Sequence, residues 1–329
     1  MKKLAGILLV LLLLMTGCSL RDASAPDPPE DGSPAVSTEQ ESTLSDDEKK
    51  ASSNQEESRE GKEESAPDKG KASGNDLSID TDYTIREKSF ENEAGEEICG
   101  DLYVPEEKNG LTVIFSHGLG GSRSDLSDYA DMLASRGCMI YTFDFRGGGY
   151  NSESDGSVSG MSVLTEEEDL EDAYDMVSGL RGVDEERIYL LGMSQGGMVS
   201  ALYAGDHPED PAGLLLLYPA FVIPDFVDGN YRGNDMMQRL FNYYSAPGNR
   251  YAEDAAGMDV DEEIAGYSGP VLLMHGTEDV IVPYTYSVEA SEIYEDADLK
   301  LYEGADHGFS DPADRRQSMR DIRSFLTEH

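Results

Sequence analysis

Three side chains far apart in the chain, Ser194, Asp279 and His307, could together carry out acyl transfer. A serine hydroxyl is a weak nucleophile at neutral pH and needs a base to take its proton and an acid to orient that base. Ser194 lies in Gly192-Met193-Ser194-Gln195-Gly196, a G-x-S-x-G run. Before it stands the strand-like stretch Arg187 to Leu191. After it, from Gln195, Met198, Val199, Ala201, Leu202 and Ala204 give an apolar helical face. A sharp strand-to-helix turn at such a serine needs small residues two before and two after it, because a Cβ at either place meets the crossing chain. A glycine-rich loop would carry the same letters, and it is the flanks that favour the turn.

Asp279 follows the apolar stretch Val271 to His275, and His307 follows Leu299 to Tyr302. Each candidate thus falls just past the carboxyl end of a predicted strand, where open α/β sheets gather their sites. A fourth segment, HGLGG at 117–121, follows the apolar run Leu111 to Phe115. A glycine-lined loop there can aim a backbone N–H at a carbonyl oxygen that becomes an oxyanion, with Leu119 as one donor and the N–H of Gln195 as the second. Asp225 and Asp228 are alternative carboxylates, and Asp306 and Asp144 read as loop-capping residues.

The elements that must position these groups alternate between strand and helix. Tyr83 to Phe90 and Ile98 to Val104 predict an opening β-hairpin. Leu111 to Ser116, Met139 to Phe143, Ile188 to Leu191, Gly213 to Tyr218, Val271 to His275 and Leu299 to Tyr302 supply short apolar strands. Thr165 with Glu168 predicts a capping box ahead of the helical face Leu170, Ala173, Tyr174, Val177 and Leu180. The alternation predicts an α/β fold with right-handed crossovers and a mostly parallel sheet. Residues 219–265 exceed what one crossover needs and carry Phe221, Phe226, Tyr231, Phe241, Tyr243, Tyr244 and Tyr251, which predicts a lid over the carboxyl edge. Most of those aromatics are expected to fill the insertion's own core, with one or two lining a pocket.

With these segments in view, the chain from about Ile98 onward resembles the α/β-hydrolase superfamily in its dienelactone-hydrolase and cinnamoyl or feruloyl esterase-like branch. The resemblance rests on HGLGG at 117–121, FDFRGGG at 143–149, SDG at 154–156, MSVLTEEEDL at 161–170, GMSQGG at 192–197, HGTEDVIVP at 275–283 and GADHGF at 304–309. It implies the α/β-hydrolase fold, with Ser194 as nucleophile, His307 as general base and acid, and Asp279 as the carboxylate that orients His307. The departure is at Phe145 to Gly149, where many relatives carry a G-x-G-x-S-like loop. A peptidase of the prolyl-oligopeptidase type shares the scaffold, and a catalytically silent binding lipoprotein is the alternative outside enzymes.

The amino terminus predicts an address. Met1-Lys2-Lys3, the apolar stretch Leu4 to Met15 and Thr16-Gly17-Cys18 form an export signal, its apolar run well short of the ~20 residues of a spanning helix. Cys18 after Thr16-Gly17 resembles a bacterial lipobox, which implies cleavage after residue 17, lipidation of Cys18 and a place on the extracytoplasmic side of a bacterial cell membrane. Residues 18–80 are rich in Ser, Pro, Gly, Asp, Glu and Lys and predict a disordered tether, leaving 81–329 as the catalytic domain.

The chain carries 67 acidic against 25 basic residues, a net charge of −42, with most of the excess beyond the tether. Such a field repels nucleic acid and anionic lipid surfaces and argues against binding to either through the protein's own surface. Cys99 and Cys138 fall in different predicted strands and read as buried free thiols rather than a pair. His117 and His275 belong to His-Gly turns, and His207 and His329 read as surface residues. No cluster has metal-ligand spacing. A serine–histidine–carboxylate set needs no cofactor, so the expected partner is a small ester.

Overall fold

Buried on both faces, the runs Thr112–Ser116, Met139–Phe143 and Gly213–Leu217 have no polar side to turn to water. The computed structural model describes residues 75–149, 151–230, 238–239 and 248–329, all in one compact unit. Cys18 and nearly all of the tether, together with Tyr231, Phe241, Tyr243 and Tyr244, lie outside them.

The described strands are β1 (Tyr83–Glu87), β2 (Phe90–Glu91), β3 (Glu97–Ile98), β4 (Gly100–Pro105), β5 (Thr112–Ser116), β6 (Met139–Phe143), β7 (Ile188–Met193), β8 (Gly213–Leu217), β9 (Pro270–Gly276) and β10 (Asp296–Tyr302). An eight-stranded sheet runs in the order β1-β4-β6-β5-β7-β8-β9-β10, with β1, β4 and β6 paired antiparallel and every later pair parallel. The chain leaves β5 for β6 on one side and returns to β7 on the other, so the strand order reverses at β5. A crevice opens at the carboxyl ends of strands where the order reverses. Ser116 at the end of β5 pairs with Gly192 near the end of β7, which sets both loops side by side at that crevice.

Alternation along the strands divides the interior in two. Ile114, Leu190, Leu214, Leu216, Val271 and Leu273 face one core, shared with α2 (Val163–Ser178) and α3 (Gln195–Asp206). Val113, Phe115, Leu191, Leu215, Leu217, Leu272 and Met274 face the other, shared with α1 (Ser127–Ala134) and α7 (Pro312–Glu328). This is the α/β-hydrolase fold. Among the described residues no helix is long and apolar enough to cross a membrane.

Three local expectations change. Helix α2 is capped by Ser162, not Thr165: the Ser162 hydroxyl accepts from the Thr165 amide at 3.2 Å and the Thr165 hydroxyl accepts from the Ser162 amide at 2.8 Å. Thr165 is therefore the third helical residue of the box, and Glu168 stays out of it. The opening hairpin is split, with β1 pairing β4 across the main sheet while β2 and β3 form a separate ribbon. Strand β10 begins at Asp296, three residues before the expected Leu299. Within the insertion, the described helices are α4 (Ile223–Val227), α5 (Asn249–Ala255) and α6 (Val260–Ile264). Phe221 and Tyr251 are buried in the core under α2 and α3, with Phe226 packed at its margin.

Candidate active site

Ser194 sits between β7 and α3 with φ 51° and ψ −117°, a conformation that a non-glycine residue adopts at a cost of about 1–3 kcal/mol. The fold around it leaves no slack. A Cβ on Gly192 would lie 2.3 Å from the Gly196 carbonyl oxygen, and a Cβ on Gly196 would lie 2.3 and 2.4 Å from the carbonyl oxygens of Ser116 and His117. Strand, turn and helix cross closely enough to hold the serine in this geometry. Its amide donates to Leu217 at 2.9 Å and its carbonyl accepts from Ala220 at 2.9 Å.

The Ser194 Oγ lies 3.1 Å from Nε2 of His307, and Nδ1 of His307 lies 2.6 Å from Oδ2 of Asp279. A carboxylate can only accept, so the ring proton sits on Nδ1 and Nε2 is free to accept from the serine. The Asp279 side chain is fully buried, and that of His307 is 14% exposed. Burial opposes the charge on Asp279. The positive charge available on His307 and hydrogen bonds from His275 and His307 outweigh it, holding the carboxyl below its ordinary range. Oδ1 accepts from the amides of Ile281 and Val282 at 2.8 and 2.9 Å. Asp225 and Asp228 lie elsewhere: Asp225 accepts from the Tyr286 hydroxyl and Asp228 from the Gly257 amide.

The 117–121 loop closes on the serine. A Cβ on Gly118 would stand 3.2 Å from the Ser194 Cβ. The next amide, Leu119 N–H, finds no acceptor among the described residues, and neither does Gln195 N–H at the first turn of α3. Two unspent amides beside a serine, one at the positive end of a helix, are what a developing oxyanion requires. His117 is buried, accepts from the Phe145 amide at 3.1 Å and touches its own loop at the Gly118 carbonyl, so it links the two loops rather than facing solvent. Burial lowers its pKa. The 145–149 loop, where the family pattern departs, joins the same assembly through the Gly149 amide on Gly121 at 2.9 Å.

Several contacts had no signal in the sequence. His275 is fully buried and places Nε2 3.1 Å from Asp279 Oδ2 and 3.0 Å from the Val282 carbonyl, with Nδ1 2.7 Å from Ser287 Oγ. Tyr218, another non-glycine residue at positive φ, packs its ring against that of His307, with centroids 4.6 Å apart and planes tilted by 59°. Asp144 caps its loop as expected, but it also pairs with the Arg123 guanidinium. Asp306 caps the 306–310 turn. Both Cys99 and Cys138 are free thiols, Cys138 buried and Cys99 only half-buried, just outside β4. His207 is partly exposed and stacked on Tyr203, and His329 is exposed. Among the described residues no group of three or more His, Cys, Asp or Glu could hold a metal ion.

Residues 107–250 match the family model described as serine aminopeptidase, S33. An uncharacterized protein of Mycobacterium tuberculosis is 29% identical over 234 residues, covering 70% of this chain and 75% of its own. A monoacylglycerol lipase of Mycolicibacterium smegmatis is 22% identical over 281 residues, 75% of this chain and 98% of the lipase. Among solved structures, Est1E from Butyrivibrio proteoclasticus with ferulic acid bound superposes with a TM-score of 0.64 at 22% identity, across 73% of this chain and 98% of that one. Sheet order, elbow and structural likeness agree on the α/β-hydrolase fold, and over residues 107–250 the sequence is similar to a serine hydrolase family of that fold.

Proposed function

We propose that the chain is a serine hydrolase of carboxylic esters that works through an acyl-enzyme and is held by a lipid on Cys18 to the extracytoplasmic side of a bacterial cell membrane. The observation that carries the catalytic part is the unbroken chain Ser194 Oγ, His307, Asp279, at 3.1 and 2.6 Å, beside two unspent amides. Ser194 Oγ attacks the ester carbonyl while His307 Nε2 takes its proton. The carbonyl oxygen, now negative, is met by the N–H groups of Leu119 and Gln195. As the tetrahedral intermediate collapses, the C–O bond to the alcohol breaks and His307 returns the proton to the departing oxygen. Water then repeats the sequence on the acyl-serine, releasing the acid and restoring Ser194. Asp279 keeps the imidazole in the tautomer and orientation that both steps need. The ferulic acid bound to Est1E, the acid that hydrolysis of its esters would release, and the monoacylglycerol lipase relative support an ester as substrate.

The description of the matching family model favours a second reading, hydrolysis of peptides from the amino terminus. A panel of aryl and alkyl p-nitrophenyl esters against aminoacyl p-nitroanilides separates the two. Turnover confined to the esters is expected, and turnover confined to the anilides would favour the peptidase.

A further inference from the structure

Gln195 supplies an amide to the proposed oxyanion site, but its side chain turns the other way, into the protein, where it is 1% exposed. There both ends of its carboxamide are taken. The Tyr251 hydroxyl donates to Oε1 at 2.5 Å, and Nε2 donates to Glu166 Oε2 at 2.7 Å. Glu166 is likewise 1% exposed, and its other oxygen, Oε1, has no partner among the described residues. A bare carboxylate oxygen in such surroundings is far costlier than a neutral carboxylic acid with one unsatisfied hydroxyl.

Three elements meet here. Glu166 lies in the first turn of α2, Gln195 opens α3, and Tyr251 comes from α5 in the insertion. A second bond, from Ser162 Oγ at the cap of α2 to Asp254 at 2.5 Å, fixes α5 against α2. No salt bridge reaches Glu166 among the described residues. On its own helix, Glu167 and Glu168 precede Asp169, which is paired with Arg146. On α5, Arg250 and Asp254 pair with each other at 3.2 Å and Glu253 is exposed. Before Asp206, α3 has no charged side chain, and β5 has none.

We propose that Glu166, as a neutral acid, and Tyr251 are positioning residues for the oxyanion donor, gripping the two ends of the Gln195 side chain so that its backbone N–H stays aimed beside Ser194. The inference rests on the hydrolase reading and adds to it a link from the insertion to the oxyanion site. Burial, with the charge of Asp169 adding to it and the Gln195 bond opposing it, pushes the Glu166 carboxyl up to about 8. Above that pH a negative charge appears directly behind the place where the oxyanion forms, and activity falls.

The test is kcat and KM for p-nitrophenyl acetate from pH 6 to 10, with fluorophosphonate labelling of Ser194 in each variant. Wild type loses kcat on an alkaline limb near pH 8. Glu166→Ala lowers kcat about tenfold at pH 7 with KM little changed, Glu166→Gln restores kcat and removes the alkaline limb, and Tyr251→Phe lowers kcat several-fold. Thermal melts supply a readout independent of turnover. Native Glu166 holds its proton beyond the ordinary value of 4.5, so wild type loses stability relative to Glu166→Gln as pH rises from 4.5 to about 8, and the gap is constant above that. An alkaline limb unchanged in Glu166→Gln, with no pH-dependent gap in melting, overturns the proposal while a labelled, active wild type leaves the hydrolase reading standing. A wild type that neither turns over the ester nor takes label overturns both.

Discussion

Four donors converge on Asp279: two backbone amides on Oδ1 and the imidazoles of His275 and His307 on Oδ2. With its carboxyl held below the ordinary 3.8, its contribution to stability is present above that value and is lost as pH falls through the lower folded value. Asp279→Asn should lower kcat on the order of 10⁴-fold by stabilising the wrong imidazole tautomer, the effect seen when the carboxylate of a serine protease is so changed. Asp225→Asn and Asp228→Asn should leave turnover near wild type; loss in either, with Asp279→Asn active, would reassign the carboxylate. At this scale the grouping of Ser194, Asp279 and His307 was legible because each stands a few residues past the carboxyl end of a strand. His275 was not: it reads as part of a His-Gly turn, and only the fold brings its ring onto Asp279. Nor was Glu166, one of three consecutive glutamates, since helix rotation alone decides that it is buried while Glu168 is exposed.

Elements with two buried faces announced themselves, because a run such as Gly213-Leu214-Leu215-Leu216-Leu217 has no polar side to show. Strand β10 was harder to bound. At the edge of the sheet its first residues, Asp296, Ala297 and Asp298, are exposed or half-buried, and their polarity concealed the strand until Leu299. The start of α2 was misplaced for a different reason. Ser162 and Thr165 are both good capping residues, and which one lies outside the helix depends on the hydroxyl–amide exchange between them. The order of strands about β5, which opens the crevice beneath Ser194, has no local sequence signal at all. Among the insertion's described aromatics, Tyr251 turned out to reach Gln195, a contact that links elements 56 residues apart and that no spacing rule predicts.

For the molecule as a whole, charge and anchor act in opposite directions. A net charge of −42 repels an anionic membrane, whereas the lipid proposed on Cys18 would hold the chain there, each buried CH₂ contributing about 0.8 kcal/mol. Cys18→Ala should release the protein from the membrane fraction or leave it as an uncleaved precursor, with activity on soluble esters little changed. Mass spectrometry of the mature amino terminus checks this, and an unmodified Cys18 or a cleavage site beyond it would mean secretion without an anchor. Whether Ser194 is the nucleophile is decided by reacting the whole protein with a fluorophosphonate and mapping the modified peptide. A single adduct on Ser194, absent from Ser194→Ala, is expected, together with loss of ester turnover in that variant. An adduct on a different serine, or undiminished turnover by Ser194→Ala, would contradict that assignment.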